Sequence, residues 1–175
     1  ADYLRRFDVG QLVTGYIGAH AIRGRFHYDP TATAMNFAAE RMSLSDFLDR
    51  VLACSTDNAP ALYLGSTELD GSFPGLRQAH PLDVGVPDPL VSLWLGNPTR
   101  VATHFDLPDN VACVVAGRRR FTLYAPELIG NLYIGPIDNT MAGQPVSLAA
   151  SAPPDDATKY PLFEAIRDQA LVVDL

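Results

Sequence analysis

Residues 93–126 read LWLGNPTRVATHFDLPDNVACVVAGRRRFTLYAP, and this stretch decides what kind of fold the chain adopts. His104-Phe105-Asp106 puts an imidazole and a carboxylate two residues apart. In an extended strand, residues i and i+2 project to one face, so both side chains can reach a single ion. One His and one carboxylate are two members of the two-His-one-carboxylate set that holds non-haem iron(II) and leaves positions open. Asn110-Val111-Ala112-Cys113-Val114-Val115-Ala116 and Arg119–Tyr124 then read as paired strands, with Gly117 where a hairpin turns. Upstream, Ser92–Gly96 and Val101–Asp106 read as short strands split by the turn signal Asn97-Pro98.

Working outward, Gln11–Ala19 and Ile22–Tyr28 are rich in β-branched and aromatic residues and predict two strands. Ser43-Leu44-Ser45-Asp46 offers a helix start of the capping-box kind, with Asp in place of Glu. Leu44, Phe47, Leu48, Val51 and Leu52 follow at helical spacing, which predicts a helix over Leu44–Ala53. Ala61–Gly65 reads as a strand, and the Gly- and Pro-bearing stretch Asp70–Pro89 as a long loop. Pro126–Pro154 is loop-rich. Pro161–Ala170 predicts a helix with Pro at its first position, and Leu171–Leu175 a strand. Short strands dominate, no repeat or linker divides the chain, and residues 1–175 read as one mainly β domain with added helices, a sandwich or barrel. The missing initial Met and the uncapped final strand predict a fragment of a longer protein.

Composition narrows the classes. A hydrophobic fraction of 47% supports a packed core, and the net charge of −7 argues against a nucleic-acid surface. Arg118-Arg119-Arg120 is too short a basic run to track phosphates. No apolar run approaches the ~20 residues that span a bilayer, and no leader pattern opens the chain. Two cysteines, Cys54 and Cys113, are too few for a disulfide framework. Cys113, in its apolar run, is expected buried as a thiol, and a cytoplasmic setting is the expectation. There is no phosphate-binding Gly-rich loop, no G-x-S-x-G elbow and no zinc-ribbon cysteine spacing.

Each candidate has an ordinary reading beside the chemical one. His27-Tyr28-Asp29 is a second H-x-D, followed by Pro30 without a strand pair or anchor, and is expected to be a surface strand end. Arg119 shares a strand face with Phe121 and Leu123. A guanidinium there is costly to bury alone; a dicarboxylate would pair with it bidentately, or it snorkels to water or pairs with an Asp. Asn110 can bond a ligand carboxylate or cap a turn. The Tyr63 hydroxyl can reach a cavity or its ring can pack in the core. Trp94 is expected in the core, His20 and His80 in solvent, and Asp155-Asp156 in a solvated loop.

At these residues the chain resembles the JmjC/cupin-like family of Fe(II)- and 2-oxoglutarate-dependent oxygenases, and within it the bacterial cupin-8 type related to the asparaginyl-hydroxylase-like branch. Leu93–Pro126 carries the match through the Asn six residues after the His, the G-R-R turn and the L-Y-x-P ending. Ala61-Leu62-Tyr63-Leu64 is similar to the family strand that bears a tyrosine contacting 2-oxoglutarate. The resemblance implies a double-stranded β-helix, a jelly-roll cupin-like barrel cut short before its last strands. It implies iron ligands at His104 and Asp106, with Asn110 and Tyr63 lining the co-substrate pocket. It places Arg119 where relatives hold the distal carboxylate of 2-oxoglutarate with a Lys. Val101 departs from the hydroxyl residue that some relatives carry there. The family's third ligand is a later His, and none follows His104; the expectation is that it lies past Leu175. The implied function is an Fe(II)- and 2-oxoglutarate-dependent hydroxylase acting on a protein or small-molecule substrate, with a homodimer among the states relatives adopt. The alternatives are a non-catalytic cupin-like module that binds a small carboxylate or metal, and a scaffold domain.

Overall fold

The computed structural model describes residues 1–54, 58–138, 140–141, 143–150, 152 and 158–175. Asp155 and Asp156 lie outside the described residues. In chain order the strands are β1 (Leu12–Gly18), β2 (Arg25–Phe26), β3 (Phe37–Ser43), β4 (Ala61–Glu68), β5 (Ser92–Gly96), β6 (Arg100–Val101), β7 (Arg120–Leu123) and β8 (Leu171–Asp174). The helices are α1 (Asp2–Arg5), α2 (Leu44–Ala53), α3 (Leu69–Ser72), α4 (Leu76–Ala79) and α5 (Pro161–Glu164). The chain is mainly β, with antiparallel pairing in its sheets and a few short helices, as a jelly-roll-like fold requires. It divides into two compact units, each drawn from two stretches of sequence: Ala1–Phe26 with Asn36–Arg100, and His27–Met35 with Val101–Leu175.

The first unit is built on a four-stranded sheet in the order β3-β1-β4-β5. Register puts Tyr16 opposite Tyr63 and Tyr63 opposite Gly96. Alternation then separates two faces. Val13, Met42, Leu62 and Leu64 turn to one side and pack with Leu44, Phe47 and Leu48 of α2. Gly15 makes this packing possible, since a Cβ there would sit 3.0 Å from the Phe47 ring. Tyr16, Phe37, Phe26 and Tyr63 form an aromatic cluster, with ring centroids 5.1–6.4 Å apart. β4 is bulged between Leu64 and Thr67, where Ser66 takes φ +54°, the left-handed value that a bulge residue can adopt.

α2 has the expected bounds, and Ser43 caps it by accepting a hydrogen bond from the Asp46 amide at 3.0 Å. Several expectations are corrected. Ile22–Tyr28 is a strand only at Arg25–Phe26, because a 3-10 turn occupies His20–Ile22. β3, with the sequence FAAERMS, lies outside the expected elements; it pairs antiparallel with β1 at the edge of the sheet. Two one-turn helices, α3 and α4, interrupt the expected loop at Asp70–Pro89. Trp94 is 45% exposed on β5 rather than in the core.

Among its described residues the second unit has two small apolar clusters. Tyr160, Phe163 and Ile166 pack with Ala149, and Tyr28 packs with Ala102 and Val146. The expected hairpin between 110–116 and Arg119–Tyr124 is not formed. Gly117 does turn, at φ +85°, but β7 pairs antiparallel with β8, Arg120 opposite Asp174. Val114 is half-buried, while Val111 is 69% and Val115 91% exposed. Cys113 is exposed with them, against expectation. The expected helix over Pro161–Ala170 is α5 followed by a 3-10 turn at Arg167–Gln169, with Pro161 in its first turn.

Candidate functional site

Ala102 is buried, and the Thr103 carbonyl accepts the Ser147 amide at 2.8 Å. Those two contacts pin the backbone just before His104. The segment that follows is irregular rather than the expected strand, which ends at Val101. His104 and Asp106 are nonetheless brought together, with Nε2 and Oδ1 3.8 Å apart. His104 Nδ1 lies 2.8 Å from the Ala102 carbonyl, which can only accept, so this nitrogen carries the proton of the neutral ring. Nε2 then offers its lone pair towards the carboxylate. Two electron-rich atoms face one another, an arrangement that a proton or a cation between them stabilises.

The donor pair is one imidazole nitrogen and one carboxylate oxygen, both of the metal-ligating kind. Donors about 2.0–2.2 Å from a divalent ion lie roughly 3 Å apart at a right angle and about 4 Å apart when opposed. The observed 3.8 Å falls inside that range. The second oxygen of Asp106 accepts a hydrogen bond from Asn110 Nδ2 at 3.1 Å. The same nitrogen donates to the Pro108 carbonyl at 3.2 Å. His104, Asp106 and Asn110 thus form one connected constellation. Among the described residues, no group of three His, Cys, Asp or Glu is placed to hold a metal ion.

Arg119 belongs to the same unit but not to this constellation. Its backbone pairs with Leu175 in both directions, at 2.9 and 2.8 Å. Its guanidinium lies over the Phe121 ring, 5.5 Å from the centroid, so the two residues do share a face. Among the described residues it has no carboxylate within ion-pair distance. The neighbouring Arg120 instead grips Asp174, through two bonds of 2.6 and 2.8 Å. Hydrogen bonding and charge from Arg120 hold the Asp174 carboxyl below the usual carboxylate range.

Tyr63 belongs to the first unit. Its ring rests over Gly65, where a Cβ would come within 2.4 Å, and it neighbours Tyr16 and Phe26. Of the remaining histidines, His80 Nε2 is 2.6 Å from the Tyr3 hydroxyl in the first unit, and His20 is exposed. His27 is buried, not at the surface; its Nε2 donates to the Ser147 carbonyl at 3.0 Å. Asp29 organises a turn, accepting from the Thr31 and Thr33 amides and the Thr31 hydroxyl. The second H-x-D is therefore structural. The docking of Ser147 between Thr103 and His27 had no signal in the sequence, because it joins residues more than forty positions apart and follows no periodic pattern.

No curated protein matches the chain. One family model does, and it spans residues 1–175. With its antiparallel sheets and its His-x-Asp-x-x-x-Asn segment, the chain belongs to the family described as the cupin-like domain.

Proposed function

We propose that His104 and Asp106 hold iron(II), and that the chain is the body of a 2-oxoglutarate-dependent oxygenase acting on a protein or small-molecule substrate. The observation that supports this best is the facing of His104 Nε2 and Asp106 Oδ1 at 3.8 Å, with the other ring nitrogen committed to Ala102. When bound, the metal and its co-substrate supply the oxidising power for hydroxylating a C–H bond. The chain's own part is to orient the two ligands and to anchor the co-substrate. Arg119 is half-buried, stacked on Phe121 and without a carboxylate among the described residues. The distal carboxylate of 2-oxoglutarate supplies the charge it lacks. Tyr63 is assigned to the co-substrate by family resemblance.

The test is anaerobic visible absorption on adding Fe(II) and then 2-oxoglutarate. The expected result is a charge-transfer band that is lost in His104→Ala. In Arg119→Ala, metal affinity should hold while 2-oxoglutarate affinity falls about tenfold or more. Unchanged 2-oxoglutarate binding in that variant would mean the anchor is elsewhere.

A second reading is a non-catalytic cupin-like module that binds a metal or a small carboxylate. It needs no group beyond the described His104–Asp106 pair or the Arg119 guanidinium. Binding of both metal and 2-oxoglutarate with no succinate formed in air would select it.

A further inference from the structure

We draw no further inference here: the strongest candidate, the exposed apolar segment of the second unit around Val111, Cys113 and Val115, carries nothing because nothing in the structure shows what covers it.

Discussion

At the scale of single residues, two H-x-D triplets with the same spelling have opposite fates. His27 is 4% exposed and donates to the Ser147 carbonyl, whereas His104 faces a carboxylate at the surface. His27→Ala leaves that carbonyl without its partner in a buried place, so it should cost about 1–3 kcal/mol of stability and leave iron(II) binding intact. His104→Ala should do the reverse. Thermal melts and metal titrations on both variants check the pair, and equal behaviour would remove the distinction. Two glycines make a similar contrast. A Cβ at Gly65 meets the Tyr63 ring at 2.4 Å, and one at Gly96 meets the Leu62 carbonyl oxygen at 2.3 Å. A ring can turn away; a backbone carbonyl in a paired strand cannot. Gly96→Ala should cost about 1–3 kcal/mol and Gly65→Ala less, read by urea unfolding.

Among elements, local chemistry specified some boundaries well. The Ser43 hydroxyl caps α2 through the Asp46 amide, and the apolar spacing from Leu44 puts Phe47 and Leu48 under the sheet. Ser43→Ala should lower stability by about 1 kcal/mol in denaturant melts, the usual loss of a cap. β7 and β8 are held differently, by a cross-strand pair between residues fifty-four positions apart in sequence. Because Arg120 depresses the Asp174 carboxyl, the unfolded chain takes up its proton at higher pH than the folded chain does. The pair's contribution is therefore present above the ordinary carboxylate range and is lost as pH falls through the lowered value. Amide exchange in β7–β8 should accelerate below about pH 4 relative to the rest of the chain, and Asp174→Asn should abolish that acid dependence. Both groups are well exposed, so the global melting temperature should move little.

Across the whole molecule, burial rather than hydropathy separates the two apolar populations. Leu64 has no exposed surface and Val115 is 91% exposed. Leu64→Ala should cost about 2–5 kcal/mol and Val115→Ala no more than about 0.5 kcal/mol, measured side by side in urea. Local pattern was enough for the mainly β class, α2 to the residue, β5 and a bend at Gly117; it was not enough for the approach of His104 to Asp106, which was expected from a strand that ends at Val101. Each of the first four follows from a period, a cap, a backbone angle or a spacing within a few residues. Family resemblance added the cupin-like identity. Contacts made in the folded chain settled that β8 rather than 110–116 pairs with β7, that FAAERMS is an edge strand, that His27 is buried, and that Asn110 turns its amide to Asp106. Those outcomes depend on which distant backbone groups and side chains supply a partner or cover a surface. No local pattern carries that information, because a hydrogen bond or a buried face is specified by both of its sides.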